Sequence, residues 1–312
     1  AAARRDWAMK IRIGTRASHL ARTQSGAVAD WLAGQGHETE LVMITTSGDA
    51  SNAPYFGSIG SQGVFVREIE QALINKKIDV AVHSYKDLPT SSTSELHVVA
   101  VPARADPTDT LLIRSEQADP DEGFLPIQKN ATVGTASARR QIWVEHIRPD
   151  LNVTSLRGNV PTRIQKLREN HYDAILLASA GIERLQSSQL TDAPELNLAD
   201  FTCVRLDPNV FVPAPAQGAI ALQCRSDDAE IGRILAPLDE PVTRGAVEAE
   251  RRLLSHVEGG CELAFGSFCE KKQNQSEMVA MIEKNGQILK KTAQGTEPSD
   301  LADELADLLV GA

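Results

Sequence analysis

From Lys10 to Val101, short β-branched runs alternate with longer stretches of helical spacing, the rhythm of a parallel-rich α/β sheet. Lys10 to Gly14 reads as a strand, and Thr15-Arg16-Ala17-Ser18 as the turn that leaves it. Leu20, Ala27, Val28, Trp31 and Leu32 then recur at helical spacing until Gly34 and Gly36 end the segment. Glu40 to Thr46 is the next strand, Gly57 to Gly63 a glycine- and serine-rich loop, and Val64 to Lys77 a helix with Phe65, Ile69, Leu73 and Ile74 on one face. Ile78 to Val82 alternates as a third strand. Its character then changes at once. His83 to Asp87 are all polar or polar-tipped, and Pro89 forbids a simple continuation. Residues just past a strand's carboxyl end in an open α/β sheet face the ligand crevice. Lys86 and Asp87 are therefore expected there together, a cation beside a carboxylate able to hold or move a proton. The plainer reading is a surface loop with an adjacent ion pair.

The pattern then repeats. Leu96 to Val101 is a strand, Asp106 to Asp109 a turn, and a second region begins near Leu111. Thr132 to Thr135 looks like a strand end, followed by a helix over Ala136 to Ile147 with Arg139 and Arg140 in its first turns. Cations there oppose the helix dipole, so a negatively charged ligand is expected beside them. Val153 to Leu156 is a strand, Pro161 suits a helix start, Tyr172 to Ala178 is a buried strand, and Ile182 to Leu185 is helical. Val204 to Arg225, stiffened by Pro208, Pro213 and Pro215, returns the chain to the first region through Ala216-Gln217-Gly218-Ala219. The last third differs. A helix over Thr243 to Val257 precedes Gly259-Gly260, and Cys261 lies on the loop beyond. Leu263 to Cys269, Glu277 to Lys284 and Gln287 to Thr292 read as strands, with a hairpin turn at Asn285-Gly286. Ser299 is expected to cap a final helix over Asp300 to Val310.

Arg16, Lys86, Arg139, Arg140, Arg157 and Arg163 all fall at strand-to-helix turns of a chain whose formal net charge is -10. Solvated surface charge would scatter along helix faces. Arginine forks pair well with carboxylates, and each charge-assisted bond contributes roughly 1.5–3 kcal/mol. No Walker A or G-x-G-x-x-G signature is present, so a polycarboxylate is favoured over a nucleotide phosphate. The acidic balance excludes a global field for nucleic acid, and no apolar run reaches membrane-spanning length. Residues 1–9 form a tail without an apolar core: a processed transit-peptide remnant, an expression scar or a native extension. Cys203, Cys224, Cys261 and Cys269 form no C-x-x-C pair, so neither a metal nor a redox site is expected, and they read as reduced thiols. A lone cysteine is usually a small buried hydrophobe, yet Cys261 follows a glycine pair on a loop. His83 reads as a packed strand-end histidine and Phe65 as core.

Six stretches occur in a telling order: Arg12-Ile13-Gly14-Thr15-Arg16-Ala17-Ser18, Ala81 to Pro89, Gly134-Thr135-Ala136-Ser137-Ala138-Arg139-Arg140-Gln141, Leu156-Arg157-Gly158-Asn159-Val160, Ala216-Gln217-Gly218-Ala219 and Glu258-Gly259-Gly260-Cys261. Together, from Lys10 to the carboxyl end, they closely resemble the porphobilinogen deaminase (hydroxymethylbilane synthase) family. The resemblance implies an α/β fold with two periplasmic-binding-protein-like lobes of mainly parallel sheet and a small α+β carboxyl-terminal domain. Residues 10–103 with 205–224 would form the first lobe, 104–204 the second, and 225–312 the third domain, which carries the cofactor cysteine. The implied reaction joins four porphobilinogen molecules head to tail on a covalent dipyrromethane primer, releases ammonia, and hydrolyses the product to hydroxymethylbilane.

By motif, Cys261 matches the residue that holds the dipyrromethane through a thioether, and Asp87 the catalytic carboxylate. Lys86, Asp87, Ser137, Arg139 and Arg140 would bind the cofactor, and Arg16, Ser18, Gln24, Phe65, Arg157, Arg163 and Gln217 the substrate chain. Gln62, Ala136, Pro161, Ala216, Gln223 and Glu262-Leu263-Ala264 depart from the family's usual residues. The expected partners are porphobilinogen and its growing chain, with neither nucleic acid nor membrane. The expected state is a cytoplasmic monomer, or a plastid-stromal one if residues 1–9 are a transit remnant. The alternative is a non-catalytic two-lobed binding protein for an organic polyanion, which would have no use for Cys261. A ligand-sensing regulator would need a DNA-binding helix-turn-helix, and none is found.

Overall fold

The computed structural model describes residues 9–44, 62–91, 93–193, 195–257 and 264–311. Cys261 and the glycine-rich loop from Gly57 to Ser61 lie outside the described residues, as do the side chains of Gln62 and Phe65. The first lobe opens with β1 (Lys10–Thr15), β2 (Glu38–Met43), β3 (Val80–Ser84) and β4 (Leu96–Ala100), separated by helices His19–Gly34 and Gln62–Ile74. The chain then crosses to β5 (Asp109–Arg114), β6 (Thr132–Gly134), β7 (Asn152–Thr154), β8 (Ala174–Ala178) and β9 (Phe201–Arg205) of a second lobe, with helices Ala138–Ile147, Val160–Arg168 and Ser179–Gln186. It returns as β10 (Ile220–Arg225), then builds a third domain from helix Pro241–Val257, β11 (Phe265–Lys272), β12 (Gln275–Lys284), β13 (Gln287–Gly295) and helix Pro298–Val310.

The two lobes share one design. Their sheets run β2-β1-β3-β10-β4 and β7-β6-β8-β5-β9. In each, parallel strands occupy one side, and the first strand after a lobe crossing inserts antiparallel beside them, β10 against β3 and β5 against β8. Inward residues of one sheet meet its helices: Ile11, Ile13, Leu32, Val80, Val82 and Leu222 in the first lobe, and Leu111, Ile113, Val133, Trp143 and Leu176 in the second. Complete burial of such side chains stabilises by roughly 1.5–3 kcal/mol each, an upper figure because unfolded chains already bury some surface. The lobes also touch directly. The first-lobe helix gives Arg22 to Asp192 at 2.7 Å and Thr23 to Ser188 at 2.9 Å.

Three expectations change. β3 keeps His83 and Ser84, because pairing with Ala221 and Ile220 of β10 carries the ladder through these polar residues, and the turn starts at Tyr85. Helix Ala229–Leu235 packs Ile231, Ile234 and Leu235 into the first-lobe core, so that lobe extends beyond residue 224. The last helix starts at Pro298 with Glu297 at its cap and no side-chain cap bond, which leaves Ser299 inside the first turn. Proline suits that first helical position because it lacks the N–H that would be unpaired there. The hairpin at Asn285-Gly286 forms as read, with φ of 53° and 77°, the left-handed pair that a two-residue turn requires.

Candidate active site

The polar stretch after β3 becomes a single 3₁₀ turn, Tyr85–Asp87. Asp87 is exposed and takes no hydrogen bond from the described residues, so its carboxylate is available to a ligand. Lys86 beside it is half-buried and donates from Nζ to Gln217 Oε1 at 3.3 Å. Burial pushes its ammonium down to about 8; Asp87 and Asp109 oppose this, and Arg140 and Arg139 reinforce it. A cavity of about 140 Å³ beside the turn is lined by residues including Arg16, Ser18, Gln24, His83, Ser84 and Asp87. Arg16 precedes the helix His19–Gly34, and Ser18 is its cap, with the hydroxyl accepting from Ala21 N at 3.3 Å. Gln24 is buried and donates from Nε2 to Ser84 Oγ at 3.1 Å. It braces the wall of the cavity.

Below the turn lies a buried charge cluster whose anion the sequence reading passed over. Asp109, wholly buried at the start of β5, accepts from Arg139 Nη2 at 2.9 Å, Arg140 Nε at 3.0 Å and Nη2 at 2.7 Å, and Gln217 Nε2 at 3.0 Å. Burial alone would raise its pKa, but Arg139 and Arg140, and the bonds from Arg140 and Gln217, pull it well below the usual carboxylate range. The two arginines that oppose their helix dipole thus face a protein carboxylate as well as any ligand. Their remaining donors reach carbonyls, Arg139 to Val212 and Arg140 to Leu176. Ser137 caps their helix through Arg140 N at 3.4 Å. Gln217 is fully buried, its Nε2 also on the carbonyls of Pro107 and Thr108, so it ties Lys86 to Asp109 from within.

Arg163 and Arg157 complete the arc. Arg163 donates from Nε to Gly158 O at 2.7 Å, and its pKa falls to about 10, first through burial and then through Arg140 and Arg157. Arg157 is exposed. Lys86, Arg139, Arg140, Arg157 and Arg163 thus crowd one region in which Asp87 and Asp109 are the carboxylates acting on Lys86. Such a set is short of negative charge, and a ligand with several carboxylates would relieve it. A poly-carboxylated dipyrromethane therefore fits these residues.

Two further residues went unread. Arg104 grips Glu250 with both terminal nitrogens, Nη1 at 2.7 Å and Nη2 at 3.0 Å, and donates from Nε to Gln217 O at 2.8 Å. Glu250, wholly buried in the third domain's helix, also accepts from Ala216 N and Cys269 N at 2.6 and 2.8 Å, so three parts of the chain meet on one carboxylate. Both sit among ordinary helix and loop charges, with no local signal to mark them. His83 is the packed residue expected. It is buried beside Gln223 Oε1 at 2.9 Å, and burial pushes its pKa down to about 4.

The family model for porphobilinogen deaminase, dipyromethane cofactor binding domain, matches residues 11–233. A porphobilinogen deaminase of Oceanobacillus iheyensis is 38% identical over 305 residues, covering 96% of this chain and 94% of that protein. One from Roseiflexus castenholzii is 38% identical over 307 residues, covering 97% and 96%. A solved ancestral cationic amino acid solute binding protein, AncCDT-1, is 13% identical with a TM-score of 0.42, over 78% of this chain and 93% of that one. Full-length kinship at this identity, joined to a carboxylate turn beside a crowd of cations, makes the chain a member of the porphobilinogen deaminase family.

Proposed function

We propose that Asp87 is the acid–base carboxylate in the stepwise, head-to-tail condensation of four porphobilinogen molecules on a dipyrromethane primer, the tetrapyrrole-building reaction of this transferase. The observation that carries this reading is an exposed carboxylate, free of protein hydrogen bonds among the described residues, directly beside a half-buried lysine on which Asp109 and the buried pair Arg139 and Arg140 also act. When bound, the dipyrromethane supplies the nucleophilic pyrrole carbon on which the chain grows. Asp87 delivers a proton to the departing amine of porphobilinogen, steadies the cation left behind, and takes the proton lost when aromaticity returns. Lys86, Ser137, Arg139 and Arg140 hold cofactor carboxylates; Arg16, Ser18, Arg157 and Arg163 hold those of the incoming ring. Gln24 and Gln217 act by bracing Ser84, Lys86 and Asp109.

Cys261 is the thioether attachment. Contrast among the thiols supports this. Burial pushes Cys224 up to about 11 and Cys269 up to about 12, and it raises Cys203, so none of these three favours the thiolate. All three are free, in keeping with a reducing cytoplasm, where the protein works as a monomer. Denatured intact mass tests the attachment: wild type carries the added mass of two linked pyrroles, and Cys261→Ala does not. Asp87→Asn is expected to lower turnover by about 10²–10⁴-fold with the fold and added mass retained. Near-normal turnover in that variant would refute the role given to Asp87.

A further inference from the structure

The turn that presents Lys86 and Asp87 has little to hold it from within. It is one 3₁₀ turn, closed by Leu88 N on Tyr85 O at 3.3 Å, and the Asp87 carboxylate has no hydrogen-bond partner among the described residues. Its geometry comes from outside. At one end, Tyr85 N donates to Ala219 O at 3.0 Å. Beneath it lies Arg251, from the third domain's helix Pro241–Val257. Arg251 Nη1 donates to Tyr85 O at 3.0 Å and Leu88 O at 2.7 Å, and Nη2 to Pro89 O at 2.6 Å. Its guanidinium also lies 4.4 Å from the centroid of the Tyr85 ring. One planar group thus grips the backbone on both sides of Lys86-Asp87.

We propose that Arg251 is the positioning residue for Asp87. It fastens the turn to the helix whose next residue but one to the amino side, Glu250's neighbour Ala249, is buried in the third-domain core, and which leads directly into the segment bearing Cys261. Glu250, adjacent in sequence, anchors the same helix to Ala216 and Arg104. The turn that bears Asp87 and the helix that precedes Cys261 in sequence are therefore tied together. Only a planar fork with several donors spans three carbonyls; a lysine ammonium is a point charge without that reach. A misplacement of about 1 Å can lower a catalysed rate by about 10²-fold.

This inference rests on the role of Asp87, and its test separates the two. Arg251→Lys keeps the charge and the aliphatic stem. It is expected to retain the covalent mass and to unfold near the wild-type midpoint, with kcat reduced about 10–100-fold and KM changed less than about threefold. Added to Asp87→Asn, it is expected to lower kcat no further, because a misplaced carboxylate matters only while the carboxylate is there. An unchanged kcat in Arg251→Lys overturns the proposal. So does a loss that multiplies that of Asp87→Asn, which would give Arg251 an independent role. Near-normal turnover in Asp87→Asn alone would instead remove the reading beneath it. Should Arg251→Lys fail to fold, Tyr85→Leu takes its place. It removes the ring under the guanidinium, leaves the carbonyls, and is expected to reduce kcat several-fold, again only when Asp87 is present; no reduction overturns the proposal.

Discussion

Replacing Asp109 by asparagine tests the charge cluster most directly. The carboxylate is wholly buried and accepts three arginine bonds between 2.7 and 3.0 Å besides the one from Gln217. An amide keeps the volume but offers one acceptor oxygen and no charge, so Arg139 and Arg140 remain buried without their anion. Removing one partner of a buried ion pair costs about 3–5 kcal/mol, because the other charge stays desolvated. The cost should appear as an earlier urea transition in Asp109→Asn. Trp143 is a suitable reporter. It is wholly buried on the arginines' own helix and donates to Val212 O, the carbonyl that also receives Arg139. The pH dependence gives a second reading. The native pKa of Asp109 lies below its unfolded value of about 3.9, so its contribution is complete above that pH and is lost as pH falls through the depressed native value. Wild type should therefore lose stability below about pH 4 more steeply than Asp109→Asn. A loss under about 1 kcal/mol at neutral pH, or identical acid curves, would refute the view that one carboxylate holds this cluster.

Other expectations follow from the same geometry. Lys86 loses its proton as pH rises through about 8, so KM for porphobilinogen should climb across that pH, and Lys86→Met should flatten the climb in steady-state kinetics. Glu250→Gln weakens the junction with Arg104, Ala216 N and Cys269 N and should cost about 3–5 kcal/mol in urea denaturation. Gly218→Ala should destabilise by at least about 1–3 kcal/mol, because Gly218 has a φ of +88° and a Cβ there would lie 2.6 Å from Ala105 O. A normal thermal midpoint for that variant would show that the crossover backbone can yield.

Periodicity and turn chemistry made most elements legible. Most strands and helices of both lobes, the Asn285-Gly286 hairpin and the clustering of cations at strand ends follow from local patterns, while β5, β9 and the helix Ala229–Leu235 carry no such signal. What stayed hidden depends on partners distant in sequence. His83 and Ser84 look like loop until β10, well over a hundred residues later, pairs with them. Asp109 looks like a turn acid until Arg139 and Arg140 fold onto it, and Glu250 like one more helix glutamate until the crossover delivers Arg104 and Ala216. Opposition of two arginines to a helix dipole signals an anion, expected from sequence to be a ligand, and the anion that the structure sets against them is Asp109. It could not tell a protein carboxylate from a ligand's, since the field at the helix end is satisfied by either.

The position of β10 bears on the order in which the chain becomes structured. This strand lies between β3 and β4, which are made before the second lobe, while β10 is made after it. The second lobe's sheet comes from the continuous run between Asp109 and Arg205. During synthesis that lobe has all its strands in hand while its host still has a gap in the middle of its sheet. We predict that nascent chains stalled with Ala219 as the last emerged residue protect β5–β9 from proteolysis but leave β3 and β4 open to cleavage. Equal protection of both sheets would count against this order. The part of the protein that leaves the ribosome first is then the later of the two to close, and the Tyr85–Asp87 turn after β3 takes shape only once its neighbour is complete.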